Sequence, residues 1–460
     1  MQKNDIITLK IEDISNEGSG IGHVEGMTVF VNGTVIGDEV EAVIIKAKKN
    51  YCIGKLRQVI VASVDRVESK CPVADKCGGC LLQHLSYDAQ LKLKQKIVTE
   101  NLVRIGGVDR EYLESITEPI IGMDEPFRYR NKAQIPVGVD KFGNTVMGYY
   151  AKHSHRIIES EDCLIGQEVN GAIMAAVKTF MEQYNIPAYD EENGRGLVRH
   201  VLIRQAMGTG QLMVCLVING TSLPKKDLLV ERLRETIDSF SSAIDLTSVC
   251  LNYNTCRDNV IMSDRTECIY GEEFITDIVT VAGKQLSFNI SANSFYQVNH
   301  DQMEKLYGAA VEYADLTGEE IVWDLYCGAG TITLSMANKA KEVYGVEVVP
   351  QAIENAKSNA KLNNITNAHF QVGKAEEVFP DSTPDVVVVD PPRKGCDEKC
   401  LETIVRMSPD RIVYVSCDSA TLARDVKYLT ERGYKLDKVR AVEQFCHSMH
   451  VECVTRLGKD

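Results

Sequence analysis

From about Ser291 onward, apolar strand-like runs at 321–326, 343–348, 368–372, 385–390 and 412–416 alternate with helical stretches near 331–338, 351–362 and 398–407. Strands with almost no polar alternation are buried on both faces, and helical crossovers link strands that run parallel. This stretch therefore predicts an α/β unit with a parallel sheet covered on both sides. In such a sheet the ligand crevice lies at the carboxyl ends of the strands.

The residues at those ends carry chemistry. Asp324-Leu-Tyr-Cys-Gly-Ala-Gly330-Thr331 stands where a strand gives way to a helix, and its glycines allow a tight turn with close backbone approach. Glu347 follows 17 residues after Gly330, at the end of the next strand, where an acid can bind two ribose hydroxyls. A dinucleotide site would continue as G-x-G-x-x-G, but Thr331-Ile-Thr breaks that pattern. With Asp390-Pro-Pro-Arg-Lys-Gly395 at the same sheet edge, the set reads as S-adenosylmethionine binding in a methyltransferase. Cys417 lies just past another apolar run, in Ile412-Val-Tyr-Val-Ser-Cys417-Asp418. A cysteine beside a strand is ordinarily a small buried hydrophobe. At a strand end, facing the crevice beside Asp390, it reads as a nucleophile.

The first sixty residues differ. Strand-like runs at 6–11, 27–31, 39–46 and 53–60 are cut by glycine-rich turns at Glu17-Gly-Ser-Gly20, Val31-Asn-Gly33 and Ile36-Gly-Asp38. Short strands with frequent turns predict a small antiparallel barrel. A cysteine-rich loop, Cys71-Pro-Val-Ala-Asp-Lys-Cys77-Gly-Gly-Cys80, leads to a polar helix over 87–105. Residues 118 to about 285 mix strands (197–205, 212–218) and helices, an α+β pattern. The domain reading is a barrel over 1–62, a central α+β domain over 63–288 and the methyltransferase domain over 289–460.

With 51 Lys and Arg against 65 Asp and Glu, the net charge of −14 argues against whole-molecule attraction to nucleic acid. Local basic faces remain. Phe127-Arg128-Tyr129-Arg130-Asn131-Lys132, with Lys152 and Arg156, interleaves cations and aromatics as single-strand RNA binders do, although a solvated loop would look the same. The 15 cysteines are an odd number, and the start lacks the apolar core of a secretion signal, so a disulfide framework is not expected. No run reaches membrane-span length. The expected location is the cytoplasm, with no membrane association and no obligate protein partner.

Two resemblances extend this reading. Gly18-Ser-Gly-Ile-Gly22, followed by Gly26, Val29-Phe-Val31, Gly33, Gly37-Asp38 and Val40, resembles the TRAM domain, an RNA-binding barrel of RNA-modifying enzymes. D-P-P-R-x-G, S-C, Ala420-Thr-Leu-Ala-Arg-Asp425 and Phe445-x-His447-Ser-x-His450-x-Glu452 resemble the RNA uracil-5-methyltransferase family. The barrel and the cysteine-rich loop make the chain similar to the branch acting on 23S ribosomal RNA. The resemblance implies Cys417 as nucleophile and Glu452 as base. It implies Gln297, Tyr326, Thr331, Glu347 and Asp390 as cofactor contacts. It also implies a four-cysteine iron–sulfur (4Fe-4S) site of Cys71, Cys77, Cys80 and Cys163, for which zinc is the alternative occupant.

The implied chemistry is coherent. Carbon 5 of uracil is a weak nucleophile until a thiolate adds at carbon 6, and a base must later remove the carbon-5 proton. The target uridine must leave its stack to reach the thiol. Three positions depart from the family: Asp418 and Cys446 stand where asparagine and proline are usual, and Glu443 where aspartate is usual. An extra negative charge at Asp418 would disfavour a thiolate unless it is hydrogen-bonded. Lys374, where an acidic or amide residue is frequent, is not expected to be a ligand. The competing readings are a tRNA uracil-5-methyltransferase, an RNA cytosine-5-methyltransferase and a non-catalytic RNA-binding ribosome-assembly factor. The combination of nucleophile, base and cofactor acid argues against the last.

Overall fold

The computed structural model describes residues 1–377 and 383–460. The chain divides into two compact units: Met1–Lys94, Tyr149–Ser160 and Phe445–His450 form the first, and Gln95–Gly148, Glu161–Gln444 and Val451–Asp460 the second.

In the first unit six strands pair in the order Ile6–Lys10, Glu39–Ala47, Tyr51–Val61, Met27–Asn32, Ser19–Val24, Asp13–Ile14. Repeated register shifts between Glu39–Ala47 and Tyr51–Val61 bend the sheet around a core of Leu9, Ile11, Val29, Val31, Val40, Ala42, Ile44 and Cys52. Of the glycine-rich stretch expected as a turn, Glu17 and Gly18 do turn the chain, whereas Ser19 and Gly20 already open the strand Ser19–Val24. A Cβ on Gly20 would lie 2.0 Å from Thr34 Oγ1, and one on Gly22 would lie 2.3 Å from the Lys10 carbonyl oxygen. These glycines serve close packing within the sheet rather than chain reversal. Beyond the sheet, Arg66 donates to the buried Asp38 carboxylate, which also accepts from the N–H of Val35 and Ser63. Burial opposes that charge, but these bonds hold the Asp38 carboxyl below its ordinary range. The first turns of the helix Tyr87–Arg104 secure the segment Phe445–His450: Gln90 Oε1 accepts from the N–H of His447 at 3.1 Å, and Lys94 Nζ donates to the Phe445 carbonyl at 3.0 Å.

The second unit contains an α+β portion and an α/β portion. In the former, strands pair in the order Lys132–Val139, Val198–Gln205, Gln211–Ile218, Asp245–Tyr253, Thr266–Gly271, with the helices Val169–Gln183 and Lys226–Phe240 packed together. A separate hairpin joins Phe274–Val281 to Lys284–Ser291. The α/β portion is an eight-stranded sheet in the order Ala368–Val372, Glu342–Glu347, Ile321–Asp324, Val386–Val389, Arg411–Ser416, Glu452–Lys459, Tyr434–Val442, Thr117–Ile121. The first five strands run parallel, and Val386–Val389 is fully buried, as its unbroken valines require. The sheet is not parallel throughout, because Glu452–Lys459 returns antiparallel to Arg411–Ser416. The architecture is α/β and Rossmann-like, with apolar cores on both faces of the sheet.

Candidate active site

The strand ends converge as the topology demands. A cavity of about 980 Å³ opens at the carboxyl edge of the parallel strands, lined in part by Tyr326, Thr331, Glu347 and Asp390. Gly330 takes φ +86° at the start of the helix Thr331–Ala337, and its N–H donates to the Cys327 carbonyl at 2.8 Å. A Cβ there would press on Ala356 and Phe370 at 3.2 Å, so both backbone and space select glycine. Below this turn, buried Asp324 accepts from Thr333 Oγ1 at 2.7 Å. Burial pushes the Asp324 carboxyl up to about 6 against that hydrogen bond. Glu347 Oε1 accepts from the N–H of Val349 at 3.0 Å, which orients its carboxylate at the cavity wall. Lys374 also lines the wall, with its ammonium 2.9 Å from Glu377.

The nucleophile and base candidates are brought together by strand register. Ser416 pairs with Cys453, so the next step outward on the same antiparallel pair sets Cys417 opposite Glu452. Cys417 is half-buried and Glu452 buried. Neither is on the wall of the cavity, but both feel Asp390, which is. Burial, then the charges of Glu452 and Asp390, push the Cys417 thiol up to about 11. Burial and Asp390 push the Glu452 carboxyl up to about 8. Asp390 is itself raised to about 7 by burial and Asp324. Arg393, in the D-P-P-R loop, favours the charged forms of both Cys417 and Glu452.

Asp418 caps the helix Ser419–Thr430, accepting from the N–H groups of Ala420 at 2.9 Å and Thr421 at 3.1 Å. Its charge thus faces a helix N-terminus, and the leading causes of the shift at Cys417 are burial, Glu452 and Asp390. Gln297 is buried and accepts from Gln444 Nε2 at 3.2 Å; it lies off the cavity wall and hydrogen-bonds Tyr307, which is on it. Tyr307, on the helix His300–Ala314, is a site residue missed in the sequence. Burial and the nearby Asp390 and Glu452 push its hydroxyl far above the ordinary range. Phe295 is 77% exposed at the cavity mouth.

Within the RNA patch read from the sequence, Arg128 is already engaged. Arg128 grips Asp162 with Nη1 at 2.7 Å and Nη2 at 2.6 Å and donates to the carbonyls of Cys163 and Gly166. It is a structural clamp. Of the four cysteines expected as ligands, Cys71, Cys77 and Cys80 belong to the first unit and Cys163 to the second. Among the described residues, no group of three or more His, Cys, Asp or Glu side chains is arranged to hold a metal ion. No described helix is long and apolar enough to cross a membrane.

Comparison with known proteins places the chain in a family. The tRNA (uracil-5-)-methyltransferase family model matches residues 237–385 and 379–460, and the TRAM domain model matches residues 2–56. An uncharacterized RNA methyltransferase of Halalkalibacterium halodurans is 46% identical over 99% of this chain and 98% of its own. One from Listeria monocytogenes serotype 4b is also 46% identical, over 99% and 98%. The solved Pyrococcus abyssi tRNA (uracil-54, C5)-methyltransferase in complex with S-adenosyl-L-homocysteine superposes with a TM-score of 0.78 at 27% identity, covering 98% of this chain and 100% of that one. The chain belongs to the RNA uracil-5-methyltransferase family, as an RNA methyltransferase carrying a TRAM domain.

Proposed function

We propose that the chain methylates carbon 5 of a uridine in 23S ribosomal RNA through a covalent cysteine–uracil adduct. The observation that carries this reading is the register that sets Cys417 opposite Glu452, next to a cavity lined by Glu347 and Asp390. The cavity suits S-adenosylmethionine, which supplies an electrophilic methyl group; Glu347 would hold the ribose hydroxyls, and Tyr326, Thr331 and Asp390 would complete the wall. Gln297 would act through Tyr307.

Cys417 Sγ, as thiolate, would add to carbon 6 of the flipped uracil, and electron density would move to carbon 5, which would take the methyl group as the sulfonium's S–CH3 bond breaks and S-adenosylhomocysteine is left. Glu452, as carboxylate, removes the carbon-5 proton; the carbon-5 to carbon-6 double bond re-forms and Sγ leaves. A carboxyl at about 8 is a far stronger base than a solvated glutamate, and its burial is what makes it so. Phe295 offers an exposed ring on which a neighbouring base can stack.

A tRNA substrate is the second reading. The Pyrococcus abyssi tRNA enzyme is matched along 98% of this chain, so an amino-terminal extension does not by itself distinguish ribosomal from transfer RNA. The 23S assignment and the iron–sulfur site both lean on the cysteine spacing. Incubating the protein with labelled S-adenosylmethionine and unmodified 23S RNA or tRNA, then mapping the product by mass spectrometry, separates the two. 5-Methyluridine in 23S RNA is expected; label confined to tRNA would reassign the substrate, and 5-methylcytosine or no label would overturn the reading.

A further inference from the structure

Three cations, two of them on neighbouring strands of the second unit, lie together, and among the described residues no acid pairs with them. Lys132 and Arg204 are register partners on the strands Lys132–Val139 and Val198–Gln205, and Arg130 lies two residues before Lys132. Arg204 is 3% exposed; its Nη2 donates to the carbonyls of Ala292 and Ser294, and its Nε has no partner among the described residues. Arg130 and Lys132 are half-buried, and among the described residues neither side chain makes a hydrogen bond or ion pair. Burial, then repulsion from Arg204 and Arg130, pushes the Lys132 ammonium down to about 7, with no carboxylate opposing the shift. A cluster of this kind destabilises the fold unless an anion offsets it.

Its position says which anion. Asn131, between the two half-buried cations, donates from its N–H to the Val298 carbonyl at 2.8 Å and from Nδ2 to the Gln297 carbonyl at 3.0 Å. Ser294, which takes the Arg204 hydrogen bond, lines the cavity, and exposed Phe295 follows it. The trio thus flanks the segment 294–298 beside the cofactor cavity. None of the three lines that cavity, which assigns the missing anion to the other substrate.

We propose that Arg130 and Lys132, backed by Arg204, form the subsite for backbone phosphate beside the target uridine. This rests on the chain acting on RNA. Half-buried cations hold a phosphodiester more tightly than fully solvated ones, because water and salt compete less there. The subsite positions the strand without reading its sequence.

The test compares the full chain with Lys132→Met, Arg130→Met and Lys132→Arg. Binding of a labelled oligouridylate is measured across salt concentrations, alongside S-adenosylhomocysteine affinity, thermal stability and methyl transfer to in-vitro-transcribed RNA. Each methionine variant is expected to lose roughly tenfold in RNA affinity at low salt and to flatten the log–log salt slope by about 0.7. Cofactor affinity should hold, stability should stay level or rise, and Lys132→Arg should keep the slope. Unchanged affinity and slope in Lys132→Met, with a wild type that binds and methylates RNA, overturns this subsite alone. A fall in cofactor affinity with the RNA slope intact also overturns it, assigning the trio to the other ligand. A wild type that neither binds nor methylates RNA overturns the functional reading together with it.

Discussion

The carboxylate of Asp418 accepts hydrogen bonds from the N–H of Thr421, at 3.1 Å, and of Ala420, at 2.9 Å, immediately after the cysteine it was expected to disturb. The charge is committed to a helix N-terminus. Asparagine caps as well as aspartate, so Asp418→Asn should change stability by only a few tenths of a kcal/mol and leave turnover within about twofold. Asp418→Ala should cost about 1 kcal/mol in chemical denaturation. A large gain in activity on Asp418→Asn would show that the charge does reach the thiol.

Cys417 and Glu452 should separate by product. Cys417→Ala should lower methyl transfer by roughly three orders of magnitude or more while leaving cofactor binding intact. Glu452→Gln still permits sulfur addition and methylation, but not proton removal. A methylated protein–RNA adduct surviving denaturing electrophoresis should therefore accumulate in Glu452→Gln and be absent from Cys417→Ala.

The same carboxyl sets a pH dependence. Glu452 holds its proton in the folded chain up to about 8, well above its unfolded value. The folded state therefore binds more protons than the unfolded state between the ordinary carboxylate range and about 8. Its contribution is fully present at acidic pH and lost as pH rises through that window; Asp390, raised to about 7, acts in the same sense. Glu452→Gln removes the cost of ionising a buried acid, so at pH ~9 it should be more stable than wild type by about 1 kcal/mol or more, and the difference should vanish near pH 4. Wild-type turnover should rise as pH increases from 6 towards 8, as the base ionises.

Arg128→Ala should behave as a stability variant. Its bidentate hold on Asp162 and its two carbonyl contacts are lost, at a cost of about 1–2 kcal/mol, while the salt slope of RNA binding stays unchanged. A flattened slope would return Arg128 to the RNA surface.

Metal content is a direct measurement. If the cysteine spacing specifies a cluster, protein purified without oxygen should be brown and carry about four irons per chain, and Cys77→Ser should remove them. Colourless protein free of iron would end that expectation, and stoichiometric zinc would replace it.

The parallel strands and the three helices between them were legible because a doubly covered sheet leaves an unmistakable apolar rhythm. The places of Glu347 and Asp390 on the cavity wall were legible because strand ends in such a sheet must face the crevice, whereas Cys417, expected on the same wall, lies off it. The strand Ser19–Val24 was not, because glycines selected for tight packing look like glycines selected for a turn. Tyr307 carries no local signal at all: one tyrosine on an ordinary amphipathic helix becomes a site residue only through tertiary placement. Arg128 and Arg130 look alike in sequence, and partners more than thirty positions away, Asp162 with the carbonyls of Cys163 and Gly166, make one a clamp.

The segment Phe445–His450 leaves the compact unit that contains Gln444 and rejoins it at Val451, one residue before Glu452, and in between it is fastened by Gln90 and Lys94. A truncation that discards the first ninety-four residues would remove both of these holds on the hexapeptide that precedes Val451 and Glu452. Swapping the amino-terminal module between relatives would require exchanging this distant hexapeptide along with it.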